Sequence, residues 1–167
     1  MTDSGLQAIL DGREARWLRR RELCGQGALL TLVMNVPGPE KNLPLWNEAH
    51  HRVTNFLKTD LGDRTRFFER RESPAGAESH FVTEMSASEL KRYAVLLEES
   101  HPIGRLLDLD VMDAQGNVMD RNALDLPPRR CFCCGKAARI CSRAGTHSLE
   151  ELLCRAEALL KAWQNEI

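Results

Sequence analysis

The stretch at residues 99–117, ESHPIGRLLDLDVMDAQGN, contains a short run in which apolar and acidic residues alternate. Across residues 107–111 the alternation has a period of two, which predicts a β-strand with one apolar face. The strand is expected to end at the turn residues Ala-Gln-Gly-Asn, 114–117. Asp108 and Asp110 then point to the same side of the sheet, where two nearby carboxylates repel each other unless a cation or a proton lies between them.

The segments before this strand predict an α+β domain. A β-rich run at residues 29–36 is stopped by Pro-Gly-Pro, and apolar residues then recur at helical spacing up to Gly62. Residues 64–85 predict two strands joined by a short loop, and a capping box at Ser86 and Glu89 begins another helix. The resulting order β-α-β-β-α-β is that of ferredoxin-like domains, so we expect a two-layer domain with a mostly antiparallel sheet.

Helical patterns outside this core predict one additional helix at each end of the chain. Residues 1–26 have helical character, although Gly12 argues against one continuous helix. A second capping box, Ser148 to Glu151, begins the final helix. His50 and the adjacent His51 are predicted to lie on the surface of the second helix. We expect residues 1–167 to form a single domain with its own core.

Composition excludes several classes of partner. Charged residues make up 28% of the chain, and the formal net charge of −1 provides no field that attracts nucleic acid or anionic lipid. No apolar run approaches the roughly 20 residues that span a bilayer. The charged N-terminus has no apolar region of the kind found in signal peptides. We therefore predict a cytoplasmic protein that binds neither nucleic acid nor a membrane.

A cluster of cysteines near the C-terminus predicts a metal site. Cys131, Cys134, Cys141 and His147 offer three thiolates and one imidazole, which is the ligand set of a closed structural zinc site. Nothing in the sequence signals export, so disulfides are not expected. We predict a zinc knuckle over residues 131–147. The alternative is a set of plain thiols in which His147 is only the residue before the helix cap.

The acid pair and the arginines before and after it predict a site for an anionic substrate that carries phosphate groups. Mg²⁺ commonly takes one or two carboxylates and completes its shell with phosphate oxygens and water, so Asp108 and Asp110 are its candidate ligands. The guanidinium groups of Arg105, Arg129 and Arg130 suit phosphate oxygens. From spacing alone, the alternatives are a solvated strand face and a solvated arginine-rich loop.

These motifs also resemble one protein family. HPIGRLLDLDV at residues 101–111 and LPPRRCFCCGKAARICSRAGTH at residues 126–147 closely resemble the apo-citrate lyase phosphoribosyl-dephospho-CoA transferases, also called holo-citrate lyase synthases. The helix that begins LEELL, the VPGP at residues 36–39 and the REARW at residues 13–17 also look like that family. The resemblance covers nearly the whole chain and is most specific in H-P-x-G-R-L-x-D-x-D and P-P-R-R-C-x-x-C.

The resemblance implies a nucleotidyltransferase. Such enzymes transfer the 2'-(5''-triphosphoribosyl)-3'-dephospho-CoA group to a serine of the citrate lyase acyl carrier protein (gamma subunit) and release diphosphate. By this resemblance, Asp108 and Asp110 hold Mg²⁺ on the triphosphate, and His101 orients or deprotonates the serine. The implied substrate-binding residues are Gly104, Arg105, Arg129 and Arg130.

The partner implied by the resemblance is the acyl carrier protein. Acyl carriers are generally acidic, so Arg19, Arg20 and Arg21 or the basic loop after the strand are expected to dock it. Two alternative functions remain open from the sequence. One is a non-catalytic zinc-bearing module that binds the citrate lyase complex, and the other is the same transfer to another acyl carrier.

Overall fold

The structure is a computed structural model and describes residues 3–165. Its helices and strands are α1 (Asp3–Cys24), β1 (Ala28–Met34), α2 (Pro44–Leu61), β2 (Thr65–Ser73), β3 (Gly76–Thr83), α3 (Ala87–Ser100), β4 (Leu107–Met112), β5 (Val118–Met119), α4 (Ala138–Ala144) and α5 (Leu149–Asn165). Short 3₁₀ turns lie at Gly62–Arg64, Gly104–Leu106 and Asn122–Leu124.

The strands form one antiparallel sheet in the order β2-β3-β1-β4-β5. From β1 to β4 the elements follow each other as β-α-β-β-α-β, and the short β5 adds a hairpin at the edge of the sheet. The α+β class, the antiparallel sheet and the added terminal helices are confirmed. The assignment to the ferredoxin-like fold stays a prediction.

One face of the sheet carries the main core. Leu30, Leu32, Phe81 and Leu109 point to this face and are at most 1% exposed. They pack against apolar side chains of α2, α3 and α5, which include Trp46, Val53, Leu57, Leu90, Ala94, Ala156 and Leu160. Complete burial of one such leucine contributes about 1.5–3 kcal/mol, so this face supplies most of the stability of the domain.

The opposite face of the sheet is largely polar and is covered by α1. Glu69, His80, Thr31 and Asp110 lie in one row across β2, β3, β1 and β4. Within that row, His80 Nδ1 is 3.0 Å from Thr31 Oγ1. Because burial of unpaired polar groups is costly, this face needs polar partners from α1.

Arginines of α1 supply those partners. Arg16 contacts the buried Glu78, and Arg19 donates two hydrogen bonds to Glu69 at 2.7 and 2.8 Å. Apolar packing beneath α1 is confined to a small cluster that includes Leu23, Leu29 and Val82. The helix is therefore held on the sheet mainly by ion pairs.

Three local expectations need correction. Gly12 does not interrupt α1, because the helix is continuous and a Cβ at Gly12 would lie 3.0 Å from Ala75 Cβ in the β2–β3 turn. His50 is buried, not exposed, with Nε2 at 3.4 Å from Leu32 O, and burial lowers its pKa to about 4. Residues 121–145, whose composition predicts irregular structure, contain the short helix α4.

The capping boxes follow the sequence closely. At Ser86, both reciprocal hydrogen bonds of the box are present, and at Ser148 the hydroxyl accepts from the N–H of Glu151 at 3.1 Å. Residues 1 and 2 of the predicted N-terminal helix lie outside the described residues. Within residues 3–165, none of the helices combines the length and the apolar character needed to cross a membrane.

Candidate active site and metal centre

Strand β4 places the two aspartates on the polar face of the sheet. Asp110 lies beside Thr31 of β1, and Asp108 lies beside Val33. The residues between and around them are buried against the helices, whereas the two aspartate side chains are 46% and 41% exposed. The alternation that the sequence predicts for this strand is thus present, and both carboxylates reach solvent.

Side chains of α3 close the edge of β4 next to these aspartates. Lys91 Nζ donates to the carbonyl of Leu109 at 3.1 Å, and Glu98 Oε1 accepts from the N–H of Leu109 at 3.0 Å. An unpaired strand edge would leave these backbone groups without partners. Lys91 and Glu98 therefore replace a neighbouring strand at this point.

Each aspartate is held by one arginine. Arg129 Nη1 donates to Asp108 Oδ1 at 3.0 Å, and Arg20 Nη1 donates to Asp110 Oδ2 at 3.0 Å. Arg129 is itself fixed, since its Nη2 donates to the carbonyl of Arg105 at 2.9 Å and also to that of Leu107. Among the described residues, the second oxygen of each carboxylate accepts no hydrogen bond.

The surroundings of Asp108 favour its protonated form. Burial is the main cause that raises the pKa of Asp108, and the charge of Asp110 raises it further, while Arg129 opposes both. Two carboxylates on one strand face repel each other, and a cation between them would relieve that repulsion. The electrostatics of the pair are thus those of a site that attracts positive charge.

A cavity of about 300 Å³ opens beside the two aspartates, between β4, β5 and the loop that follows. We call it the acidic cavity. Its acidic lining residues are Glu98, Asp108, Asp110 and Asp120, and its basic ones are Lys91, Arg121, Arg129 and Arg139. Arg121 is anchored there by Glu98, and by Glu99 at 2.9 Å. Acids and bases face each other in a space that a charged ligand can enter.

A second cavity of about 280 Å³, the arginine cavity, lies on the other side of Arg129. It is lined by Arg105 and Arg130, by Phe132 and by part of the cysteine cluster. Burial lowers the pKa of Arg105, and the positive charge of Arg129 lowers it further. The side chains of Arg105 and Arg130 form no hydrogen bond or ion pair with any residue between 3 and 165. Positive charge therefore accumulates in this cavity.

The HPIG turn holds its residues away from both cavities. A Cβ at Gly104 would lie 2.5 Å from the carbonyl oxygen of Leu97 and 2.6 Å from that of Glu98, so only glycine fits. His101 is half-buried between the rings of Phe56 and Trp163, and its Nδ1 accepts from the N–H of Ile103 at 3.2 Å. Burial lowers the pKa of His101. Both residues shape the turn that precedes β4.

The four predicted zinc ligands come together. The ligand atoms of Cys131, Cys134, Cys141 and His147 all lie within 4.8 Å of one another, and two of the sulfurs are 3.4 Å apart. The backbone N–H of Lys136 lowers the pKa of Cys134 to about 7. The hydrogen bond between the Cys134 and Cys141 side chains raises the pKa of Cys141. This cluster can hold a metal ion, as the spacing predicts.

The histidine of the cluster is oriented as a ligand. Its Nδ1 is 3.1 Å from Glu151 Oε1, while its buried Nε2 has no hydrogen-bond partner in the described part of the chain. Metal-binding histidines usually donate their other ring N–H to a carboxylate or carbonyl, which fixes the ring. Glu151 thus explains how His147 presents Nε2 to the three sulfurs.

The structure joins some of the predicted site residues and separates others. Asp108, Asp110 and Arg129 share the acidic cavity, whereas Arg105 and Arg130 line the arginine cavity. Sequence reasoning assigned Arg20 to carrier docking and Arg121 to the basic stretch, and it did not connect these two residues, Lys91 or Glu98 to the acid pair. These residues come from α1, α3 and a distant loop, so neither spacing nor periodicity could connect them to β4. A charged residue on the apolar side of a helix, such as Glu98, was the available signal.

Comparison with known protein families gives a match over nearly the whole chain. A sequence model of the apo-citrate lyase phosphoribosyl-dephospho-CoA transferase family matches residues 4–163. The chain belongs to this family. The predicted family and the predicted enzyme class, a transferase, are confirmed.

Relatives of this family member come from different bacteria. A protein of Streptococcus pyogenes named as a probable apo-citrate lyase phosphoribosyl-dephospho-CoA transferase is 36% identical over 168 positions, which cover 96% of this chain and 88% of the relative. Proteins of Shigella flexneri and Escherichia coli named as the same transferase are 36% identical over 156 positions, which cover 90% of this chain and 83% of each relative. The range matched by the family model spans the residues of both cavities and of the cysteine cluster.

Proposed function

We propose that this family member transfers the 2'-(5''-triphosphoribosyl)-3'-dephospho-CoA group to a serine of the acyl carrier protein (gamma subunit) of citrate lyase and releases diphosphate. One observation carries the proposal: two solvent-reaching carboxylates, Asp108 and Asp110, lie beside a fixed Arg129 in a charged cavity. The relatives' names supply the substrate class, since they specify apo-citrate lyase and phosphoribosyl-dephospho-CoA. Carboxylates that can hold a metal ion, together with nearby arginines, suit the transfer of a phosphate-linked group to a hydroxyl.

The acid pair fits a magnesium ion by its donor set. Each carboxylate has one oxygen that accepts from an arginine and one that accepts no hydrogen bond from residues 3–165. No third acidic ligand joins them closely within the described chain, and Mg²⁺ often takes only one or two carboxylates beside phosphate oxygens. Bound there, Mg²⁺ would neutralise charge on the triphosphate and the leaving diphosphate.

The residues of the acidic cavity act on the phosphates. The serine oxygen forms a bond to the α-phosphorus, the bond from that phosphorus to the bridging oxygen breaks, and diphosphate leaves with the electron pair. Arg129 would stabilise the charge that develops on the phosphoryl oxygens, since preorganised donors lower the barrier without reorganisation. Arg20 and Arg129 keep Asp110 and Asp108 in position for this role.

The serine proton must pass to a base, and His101 is the residue that the family resemblance suggests. Its lowered pKa keeps the imidazole neutral at pH 7, which a base requires. Its ring lies between Phe56 and Trp163 and does not line either cavity. The assignment of His101 stays a prediction, and a role in shaping the HPIG turn explains its present contacts.

The Cys131, Cys134, Cys141 and His147 cluster is proposed to hold structural zinc. Four ligands would fill a tetrahedral zinc site and leave no open position for catalysis. The knuckle contributes little apolar core, so a metal would supply its local order. In this arrangement the knuckle supports the walls of both cavities, since Arg130 and Arg139 flank its ligands.

Zinc content tests this assignment. Purified protein should contain about one zinc per chain by elemental analysis, and Cys134→Ser should lose most of it. The matched control is Cys154→Ser, because Cys154 is an exposed free thiol outside the ligand group. A fully active preparation without metal, or equal zinc in both variants, would show that the cysteines are plain thiols.

The carrier is proposed to dock on the knuckle and not on α1. Arg19 and Arg20, predicted as docking residues, are already paired with Glu69 and Asp110. Residues 129–147 contain five lysines and arginines and no acid. Exposed basic groups beside both cavities would attract an acidic carrier and bring its serine to the phosphates.

Mass spectrometry of the carrier tests the function directly. The enzyme is mixed with apo-carrier, the triphosphoribosyl precursor and Mg²⁺, and the carrier should gain the mass of the prosthetic group while diphosphate appears. No gain with folded enzyme would favour a non-catalytic zinc-bearing module. Competition between the apo-carriers of citrate lyase and of another acyl carrier system would reveal whether the transfer is directed elsewhere.

A further inference from the structure

We propose that the arginine cavity binds the adenosine diphosphate portion of the substrate, at a site separate from that of the triphosphate. The inference rests on the proposed function, and it divides one substrate between two cavities. The acidic cavity receives the triphosphate, and the arginine cavity receives the adenine ring and the diphosphate of the dephospho-CoA arm.

The charge of the arginine cavity favours an anionic ligand. Arg129 is paired with Asp108, whereas Arg105 and Arg130 form no ion pair with residues 3–165, and Glu99 acts on Arg105 only as a nearby charge. Three thiolates and one imidazole around Zn²⁺ would add a single net negative charge nearby. The half-buried Arg105 and the exposed Arg130 therefore keep guanidinium donors available to an anion that enters the cavity.

The uncharged part of the lining fits a purine. Phe132, Leu152 and Pro37 contribute apolar surface to this cavity, and bases stack readily on aromatic side chains. The acidic cavity offers the opposite chemistry, with eight charged residues and no aromatic ring in its lining. An adenosine diphosphate group needs both cations and an apolar surface, and of these two cavities the arginine cavity is the one that combines them.

The position of Arg129 explains how one molecule can reach both cavities. This side chain lines both of them, with Nη1 on Asp108 and Nη2 on the carbonyls of Arg105 and Leu107. In the substrate, a single ribose joins the triphosphate to the 2'-oxygen of the adenosine. The two anionic groups of the substrate are thus close neighbours, as the two cavities are.

This division changes the role of two predicted residues. Arg105 and Arg130 would bind the diphosphate of the dephospho-CoA arm and not the diphosphate that leaves. They would therefore govern substrate affinity, whereas Asp108 and Arg129 act on the reacting phosphate. In steady-state kinetics, substitution of Arg130 should raise KM more than it lowers kcat.

Two simple probes separate the cavities. Dephospho-CoA contains the adenosine diphosphate arm without the triphosphate, and inorganic triphosphate with Mg²⁺ contains the triphosphate alone. By titration calorimetry, Arg130→Gln should weaken binding of dephospho-CoA at least about tenfold and change triphosphate binding little. Asp108→Asn should have the reverse effect. Adenosine 5'-diphosphate should compete with dephospho-CoA for the same site.

Arg143→Gln is the control, because Arg143 is an exposed arginine of α4 that does not line the cavity. It should leave both affinities unchanged, and all variants should keep the zinc content of the unsubstituted enzyme and melt at no lower temperature. The proposal is overturned if that enzyme does not bind dephospho-CoA, or if Arg130→Gln and Asp108→Asn weaken the two probes equally. These binding results do not depend on the carrier, so they are independent of the transfer assay.

Discussion

The two faces of strand β4 are built on different principles. Leu107, Leu109 and Val111 pack into the main core beneath α2, α3 and α5. Asp108 and Asp110, which alternate with them, reach solvent on the other face and are held by arginines. One face is stabilised by apolar burial and the other by ion pairs, although a single peptide bond separates neighbouring members of the two sets.

This difference assigns stability and chemistry to opposite sides of one strand. A charge that must act on a substrate needs access to solvent, whereas a core side chain contributes by leaving it. The strand therefore positions the acids rigidly because its other face is fixed by the core. Substitutions on the two faces should have separable effects.

The largest expected effect is loss of transfer in Asp108→Asn and in Asp110→Asn. Turnover should fall by more than about 100-fold, because loss of even an outer partner of a metal site costs about 10- to 100-fold. The exposed Asp125→Asn is the control, since asparagine also tolerates the left-handed backbone at that position. Normal turnover in either site variant would refute the proposed metal role.

The same Asp108→Asn variant should not lose stability. Because the pKa of Asp108 is raised in the folded state, the fold binds more protons than the unfolded chain between the ordinary and the raised pKa. Stability therefore decreases as the pH rises through that window, and the ionised carboxylate is destabilising at pH 7. The variant should melt at an equal or higher temperature at pH 7, and its advantage should shrink near pH 4, about the ordinary pKa.

The second expected effect is destabilisation by Leu109→Ala. Leu109 is 1% exposed in the main core, and its truncation should cost about 3 kcal/mol of unfolding free energy and lower the melting temperature by about 10 °C. Leu109→Met nearly conserves the volume and should cost less than about 1.5 kcal/mol. Below the melting transition, Leu109→Ala should keep much of its turnover. A variant that is inactive yet fully stable would contradict the separation of the two faces.

The smallest expected effects compare two adjacent glutamates of α3. Glu98 is buried, closes the edge of β4 and anchors Arg121, whereas Glu99 is exposed and binds only Arg121. Glu98→Gln should cost about 1–3 kcal/mol and reduce turnover, because it weakens the contacts behind both faces. Glu99→Gln should change stability by less than about 0.5 kcal/mol. Chemical denaturation measures the unfolding free energy of the two variants, and a transfer assay measures their turnover. Equal losses in Glu98→Gln and Glu99→Gln would show that Glu98 has no special role at the edge of β4.

Periodicity and local chemistry made much of the fold predictable. The capping box at Ser86 specified the start of α3, and the alternation around Asp108 specified the two faces of β4. Gly12 was misread because its role is a close approach to the turn at Ala75, which no local pattern reveals. His50 and His51 were both predicted to lie on the surface. Adjacent residues of a helix point in different directions, and here His51 is exposed while His50 faces the core.

The proposed metal centre and the proposed active site differ in how far the sequence predicted them. Cys131, Cys134, Cys141 and His147 lie within one short segment, so their spacing was sufficient to identify them. The acidic cavity is assembled from α1, α3, β4 and a later loop. Arg20 is 90 positions from Asp110 in the sequence, and Glu98 is 10 positions from Asp108. Only the folded chain brings these residues together.

The sequence by itself determined the strand that carries the acid pair, the helix caps, the four cluster ligands and the family, because each depends on short-range spacing or on a contiguous motif. The tertiary structure decided which arginines are free for a ligand. Arg20 and Arg129 are paired with the aspartates, while Arg105 and Arg130 form no ion pair with residues 3–165 and line the arginine cavity together with Arg129. Arginines look alike in a sequence, and only the folded chain shows which of them have a carboxylate partner.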